Sequence, residues 1–135
     1  MVKKIFSVML LAAALIFISG QNNFANAQDI YLGVYEDGRT GYLMDETIKY
    51  YRDYNGEYII SEGYTCTVKA INSGGNVQYI NYKWQCSPQT QVLYKNGKMY
   101  TLRDMSELYK KSSHPENVLI HKLRAVWEER MGNFD

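Results

Sequence analysis

The chain has 135 residues, of which 46% are hydrophobic, 14% aromatic and 21% charged. This length and hydrophobic content predict one folded domain and argue against a disordered chain. A formal net charge of +1 argues against a strongly basic nucleic-acid binder. The unusual feature of the composition is tyrosine, which contributes 13 residues where phenylalanine contributes 4.

The first 27 residues have the pattern of a secretory signal peptide. Two lysines precede an apolar run over residues 5–18, and an A-x-A cleavage motif ends at Ala27. We therefore expect cleavage between Ala27 and Gln28, which leaves a single mature domain over residues 28–135. The alternative is an uncleaved membrane anchor, but the apolar run is shorter than the ~20 residues that a spanning helix needs. The mature protein is expected to be secreted or periplasmic, without a membrane span.

Residues 30–44 have the strand-forming composition and the turn signal of a β-hairpin. The Asp-Gly dipeptide at positions 37–38 is a strong signal for a two-residue loop. With that loop, Tyr31, Tyr35 and Tyr42 share one face of the hairpin, so the sequence predicts an aromatic surface there.

Residues 45–57 connect the first hairpin to the second and show no clean hydrophobic period. The acidic start of this segment can form a short helical turn, and Asn55-Gly56 marks a turn at its end. We expect an irregular loop with Ile48 turned inward.

Residues 57–86 alternate in hydrophobicity as a long antiparallel hairpin does. Facing residues lie on the same side of a sheet, so two registers fit the apolar faces. One register places Cys66 opposite Cys86, and the other places Cys66 opposite Trp84. An exported protein favours the first register and a structural disulfide, worth about 3 kcal/mol for a loop of this length. Two free thiols are the alternative, while the spacing does not favour a metal site.

The last third of the chain begins with a third hairpin over residues 90–103, whose turn is Asn96-Gly97. A short helix capped by Asp104 is expected next, followed by an amphipathic helix over about 115–131. About six antiparallel strands in a curved sheet or partial barrel, followed by a C-terminal amphipathic helix, make an α+β domain.

No signature of catalysis is present in the sequence. The two histidines, His114 and His121, are seven residues apart, which is too far to share one metal ion along a single helix. We expect His114 to help start the last helix and His121 to face solvent. No nucleophile motif, calcium loop or phosphate-binding glycine pattern occurs, so we expect no catalytic residue, bound metal or cofactor.

The tyrosines suggest a binding surface, because tyrosine combines a large rigid ring with a polar hydroxyl. The candidate binding residues are Tyr31, Tyr35, Tyr42, Tyr50, Tyr51 and Tyr54. The alternative is that tyrosine replaces the missing phenylalanine in the core of a small half-buried sheet.

One segment suggests a relationship to other proteins. The run YLMDETI, residues 42–48, resembles the tyrosine-x-aspartate-x-x-serine-isoleucine element of small secreted bacterial proteins of the surface-adhesin E-like type. This chain has threonine where serine is usual, and its last helix lacks the usual cysteine. The resemblance implies a short β domain with a C-terminal helix, acting at the envelope or cell surface without catalysis, and it transfers no binding residue.

The sequence therefore favours an exported, non-enzymatic domain of a bacterial envelope or extracellular space. We expect it to bind an envelope protein or a glycan through the tyrosine-rich face, and not to bind nucleic acid. The alternative is a small secreted enzyme or enzyme inhibitor. That alternative requires a concave pocket in which His114 or His121 meets a carboxylate or a hydroxyl.

Overall fold

A computed structural model describes residues 28–87 and 91–132 of the protein. Over these residues the chain forms seven strands and two α-helices. The strands are β1 (Asp29–Val34), β2 (Thr40–Met44), β3 (Lys49–Asn55), β4 (Tyr58–Ile71), β5 (Val77–Ser87), β6 (Val92–Lys95) and β7 (Lys98–Met99), and the helices are α1 (Leu102–Tyr109) and α2 (Pro115–Gly132). The α+β class is confirmed, with an open antiparallel sheet. The expected signal peptide, residues 1–27, lies outside the described residues.

The 14-residue strand β4 organises the sheet, which runs in the order β1-β2-β4-β5-β6-β7. Along one edge, β4 pairs first with β3 and then with β2, while β5 covers its other edge. The expected irregular loop over residues 45–57 is therefore wrong, because a 3-10 turn (Asp45–Thr47) and strand β3 occupy that segment. Because tyrosines lie on both faces of β3, the sequence lacks the alternation of apolar and polar residues that marks a strand. The segment is a strand because it pairs with β4.

The hydrophobic core lies between one face of the sheet and helix α2. Trp84, Leu43 and Leu93 of the sheet are fully buried, as are Leu119 and Leu123 of the helix. The expected helix over 115–131 is confirmed within one residue. Its apolar stripe is buried in the first half of the helix and becomes exposed towards the C-terminus, where Met131 is 45% exposed.

The first hairpin forms, but the expected two-residue loop is wrong, because the Tyr35 N–H donates to the Arg39 carbonyl at 2.8 Å. Tyr31 pairs with Tyr42, and a β-bulge between Tyr31 and Gly33 shifts the register before Val34 pairs with Thr40. Gly33 has a φ of +134°, and a Cβ there would lie 3.0 Å from the Ser113 carbonyl oxygen. The bulge thus lets β1 approach the start of α2 closely, and it separates Tyr31 from Tyr35.

The second hairpin forms in a register that excludes the expected disulfide. Cys66 pairs with Tyr82, and both cysteines are free thiols. The cause is a five-residue turn in which the Asn72 side-chain oxygen accepts hydrogen bonds from the backbone N–H groups of Gly74 and Asn76. Burial raises the pKa of the Cys66 thiol to about 12 and that of Cys86 to about 11. Both registers considered from the sequence are therefore wrong.

The third hairpin and the short helix are closer to expectation. Tyr94 pairs with Met99 across the Asn96-Gly97 turn, whose residues both have positive φ angles. Helix α1 begins one turn earlier than expected, since Thr101 is its N-cap. Thr101 and Asp104 form a capping box, with backbone-to-side-chain bonds of 3.0 Å in both directions.

Candidate functional site

The face of the sheet turned away from α2, here called the outer face, carries polar and aromatic side chains. The pairing register places Tyr31, Tyr42, Lys69 and Tyr79 in one row across β1, β2, β4 and β5. A second row runs from Lys49 through Thr65 and Lys83 to Tyr94. Between these rows lie Thr67 and Asn81, which also pair with each other. Thr65, Thr67, Asn81 and Lys83 thus form a strip of polar side chains along β4 and β5, here called the polar strip. The tyrosines of the first row lie beyond one end of this strip, and Tyr94 lies beside the other.

The polar strip is the floor of a groove of about 690 Å³. This volume lies within the range of roughly 300–1,000 Å³ that is typical of ligand sites. One wall is formed by the 3-10 turn and the start of β3, and the other by β6 and its turn to β7. The lining includes Glu46, Thr47, Lys49, Thr65, Thr67, Asn81, Lys83, Tyr94 and Gly97.

The first wall exists because β4 changes partner near Thr67. At this point the Thr67 N–H has no neighbouring strand to donate to, and it donates instead to the Thr47 hydroxyl at 2.8 Å. The Thr47 hydroxyl in turn donates to the Met44 carbonyl at 2.6 Å. One threonine thus fixes the 3-10 turn against the sheet and holds Glu46 and Lys49 at the rim of the groove.

The second wall is fixed by the Asn96-Gly97 turn. The Asn96 N–H donates to the Asn81 carbonyl at 2.7 Å, and the Asn81 N–H donates to the Asn96 side-chain oxygen at 2.9 Å. These two bonds hold the turn beside β5 and set the position of Tyr94.

The floor of the groove presents hydroxyl, amide and ammonium groups. Thr67 donates its hydroxyl hydrogen to the Asn81 side-chain oxygen at 2.9 Å, which leaves the Asn81 amide N–H groups available as donors. The Lys83 ammonium lies 4.5 Å from the centroid of the Tyr51 ring and 5.5 Å from that of Tyr94. The two rings therefore orient a cation at one end of the groove.

The six tyrosines predicted from the sequence do not form one surface. Tyr31, Tyr42 and Tyr51 lie on the outer face, and the rings of Tyr31 and Tyr42 are 5.8 Å apart. Tyr35 and Tyr50 are on the helix side, so the expected grouping of Tyr35 with Tyr31 and Tyr42 is wrong.

The positions of the other tyrosines follow from their contacts. Tyr35 is 4% exposed and bonds to Tyr82, while Tyr50 packs on Tyr64 at a ring separation of 5.8 Å. Tyr54 is 56% exposed near the tip of the β3–β4 hairpin, with its hydroxyl 3.4 Å from Arg52. The aromatic surface expected from the sequence is thus divided between two faces and a hairpin tip, and its role in binding stays a prediction.

None of the residues that line the groove was among the candidate binding residues from the sequence, including Thr65, Asn81, Lys83 and Tyr94. The alternation of β5 places Tyr79, Asn81 and Lys83 on one face, which was a usable signal. A polar face of a strand is normally solvated, however, and only the two walls make this one concave.

A second polar cluster lies on the helix side around Glu116, which is 3% exposed. Its carboxylate accepts hydrogen bonds from the hydroxyls of Tyr82, at 2.6 Å, and Tyr100, and it pairs with the Lys95 ammonium at 3.1 Å. The Tyr82 and Tyr35 hydroxyls are 2.9 Å apart. Burial raises the pKa of Tyr35 to about 12 and raises those of Tyr82 and Tyr100 further. These tyrosines are therefore protonated donors that hold a buried carboxylate.

The cluster is continuous with a pocket of about 340 Å³ at the start of α2, lined by Glu36, Tyr100, His114 and Glu116 among others. His114 Nε2 lies 3.0 Å from Glu36 Oε1, and His114 Nδ1 accepts from the Glu116 N–H at 3.1 Å. The expectation that His114 helps start the helix is confirmed, and His121 is exposed as expected. Because Nδ1 accepts a hydrogen bond, the ring proton of His114 lies on Nε2, which donates to the Glu36 carboxylate.

The described residues hold no group of three or more histidine, cysteine or acidic side chains suited to a metal ion. Neither of the helices described is long and apolar enough to cross a membrane. Comparisons with protein families, curated proteins and solved structures found no match to this chain.

Proposed function

We propose that the protein is an exported, non-catalytic domain that binds a glycan in the groove of its outer face. The observation that carries this proposal is a groove of about 690 Å³ whose floor offers hydroxyl, amide and ammonium groups. The ring of Tyr94 lines one end of the groove, where it can stack on the apolar face of a sugar ring. A small number of placed polar groups beside aromatic surface is the usual arrangement of a small-molecule site.

The helix side supports binding less well than the outer face. There the tyrosine hydroxyls are already used by Glu116, and Tyr82 is 2% exposed. A ligand would have to break these bonds before it could form its own. The outer face is more accessible: Tyr31 and Tyr79, which lie outside the lining of the groove, are 59% and 57% exposed.

The proposal is tested by glycan-array binding of the purified protein and two variants. Asn81→Ala removes the amide donors from the floor, and we expect its affinity for bound glycans to fall at least tenfold. Tyr58→Ala is the matched control, because Tyr58 is 79% exposed but pairs with Asn55 at the hairpin tip. We expect this control to bind within twofold of the wild type. Equal binding by Asn81→Ala would contradict the groove as the site.

Export is tested separately by N-terminal sequencing of the protein recovered from its native host. We expect the mature chain to begin at Gln28 and to be found in the periplasmic or secreted fraction. Recovery of a chain that still carries residues 1–27 in the cytoplasmic fraction would contradict export. The proposal that the groove binds a glycan would still be tested by the glycan array.

A second candidate function, a small enzyme, is favoured by the pairing of His114 with Glu36 inside a pocket. This is the arrangement that an acid–base site requires. The backbone bond to Nδ1 weakens the candidate, since the free nitrogen needed for a general base is absent when Nε2 carries the proton. Hydrolysis of p-nitrophenyl esters that His114→Gln abolishes and Glu57→Gln preserves would favour the enzyme over the binding domain.

A further inference from the structure

We propose that the groove of the outer face selects an acidic saccharide, and that Lys83 and Lys49 receive its carboxylate groups. This inference rests on the proposed function, because it assumes that a glycan occupies the groove. The inference specifies the charge of the expected ligand, which the tyrosines alone do not determine.

The first argument is the charge of the groove. Two lysines and one carboxylate, Glu46, line it, so the lining carries one net positive charge. Lys49 and Lys83 flank Thr65 in one row across β3, β4 and β5. Neighbouring strands are about 4.8 Å apart, so the lysine backbones are separated by roughly 10 Å. Two carboxylates on nearby sugar units of one chain fit such a spacing.

The second argument concerns the partner of Lys83. Its ammonium lies 3.6 Å from an Asp53 carboxylate oxygen, and the side chains are 38% and 52% exposed. An ion pair this open is weak, because water screens both charges. A ligand carboxylate that is partly shielded by the Tyr51 and Tyr94 rings can therefore replace Asp53 at little cost.

The third argument concerns the charged donors of the groove. The Asn81 side-chain oxygen accepts the Thr67 hydroxyl hydrogen, which leaves the Asn81 amide N–H groups to the ligand. Lys49 and Lys83 add ammonium groups, which donate but do not accept. A carboxylate, as in a uronic-acid oligomer, accepts stronger hydrogen bonds from such donors than a neutral sugar hydroxyl does.

The other row of the outer face does not offer the same attraction. Its one lysine, Lys69, is buried and pairs with Asp29 at 2.9 Å. A cation that is already paired and buried is not available to a ligand. Anion selection is thus confined to the end of the groove that holds Lys49 and Lys83.

The test uses oligogalacturonate and its fully methyl-esterified form, which share every sugar ring but differ in charge. Affinity is measured by isothermal titration calorimetry with the full chain as it is purified. We expect the esterified ligand to bind at least tenfold more weakly. We also expect Lys83→Gln to weaken oligogalacturonate binding at least tenfold, and Lys49→Gln to weaken it several-fold.

The matched control is Lys122→Gln, because Lys122 is exposed on helix α2 and lies outside the groove. We expect it to bind as the wild type does. Equal loss in Lys122→Gln and Lys83→Gln would indicate general charge attraction and overturn the inference. Equal affinity for the esterified ligand would also overturn it, while the proposed glycan function would stand. Failure of every saccharide, acidic or neutral, would overturn both.

Discussion

The two faces of the sheet use tyrosine in opposite ways. Tyr82 on the helix side is 2% exposed, and its hydroxyl bonds to Glu116 and Tyr35. Tyr79, three residues earlier on the same strand, points to the outer face and is 57% exposed. The same side chain is thus a structural donor on one face and accessible surface on the other.

This difference explains why the composition favours tyrosine over phenylalanine. Residues 28–132 contain no phenylalanine. A phenylalanine at position 82 or 100 would remove one of the hydrogen bonds that the buried Glu116 carboxylate accepts, which costs free energy. On the outer face, a phenylalanine would be an exposed apolar ring with no polar handle for a ligand. Tyrosine therefore stands both in the core and on an exposed face, and the binding role of the exposed face stays a prediction.

The largest expected effect comes from removing the carboxylate that the helix-side tyrosines serve. Glu116→Leu leaves Lys95 and two tyrosine hydroxyls without their shared partner, and we expect a loss of about 3 kcal/mol in the free energy of unfolding. Urea denaturation followed by tryptophan fluorescence measures this loss. Glu128→Leu, at an exposed position of the same helix, is the control and is expected to stay within about 0.5 kcal/mol of the wild type. A loss below about 1 kcal/mol for Glu116→Leu would show that the cluster is not structural.

The next effect compares the two faces directly, with one hydroxyl removed from each. Tyr82→Phe removes the bond to Glu116, and hydrogen bonds to charged groups contribute about 1.5–3 kcal/mol. Tyr79→Phe removes an exposed hydroxyl, and we expect a change within about 0.5 kcal/mol. Both free energies are measured in the same urea titration. Equal losses in the two variants would mean that the faces do not differ as described.

A smaller effect separates the two cysteines. Cys66 is 4% exposed in the core and Cys86 is partly exposed, so we expect Cys66→Ala to cost about 1 kcal/mol and Cys86→Ala less than about 0.5 kcal/mol. A disulfide would make the two losses equal, since either substitution removes the same crosslink. Intact mass after alkylation in denaturant without reductant should show two labels. Equal losses and no label would contradict the free thiols.

Parts of the fold with local signals could be predicted from the sequence. Asn96-Gly97 determines its turn because both residues must adopt positive φ angles, and the structure has them there. Helix α2 begins at Pro115, which suits the first turn because proline has no N–H to leave unpaired. These elements need no information from distant residues.

The strand registers could not be predicted, because small local features determine them. The bulge before Gly33 and the five-residue turn that begins at Asn72 each shift a register, and a shift of one residue exchanges the two faces of a strand. The same limit applied to the groove. Its floor was visible in the alternation of β5, but its walls come from Thr47 and Asn96, which meet the floor only in the folded chain.

The smallest expected effect lies where the helix-side cluster reaches solvent, at His114 and Glu36. Hydrogen bonds from its own backbone and from His114 lower the pKa of the Glu36 carboxyl below its usual 4.5. A lowered pKa in the folded state stabilises the fold above the unfolded value and loses that contribution as the pH falls. Because Glu36 is 69% exposed, we expect Glu36→Gln to cost about 0.5 kcal/mol or less at pH 7. The difference from the wild type should shrink as the pH falls below the usual value of 4.5 and the Glu36 carboxylate becomes protonated.

Thermal unfolding between pH 3 and pH 7 measures this difference, with Glu57→Gln at an exposed turn as the control. We expect the two variants to be distinguished only above about pH 4.5, where the Glu36 carboxylate is charged in both the folded and the unfolded state. A difference that grows as the pH falls would require a raised pKa at Glu36, and it would contradict the bond from His114. Glu36 and Glu116 both accept hydrogen bonds from the side chains of ring-bearing residues. The bond to Glu36 is the weaker one because Glu36 is exposed, whereas Glu116 is buried.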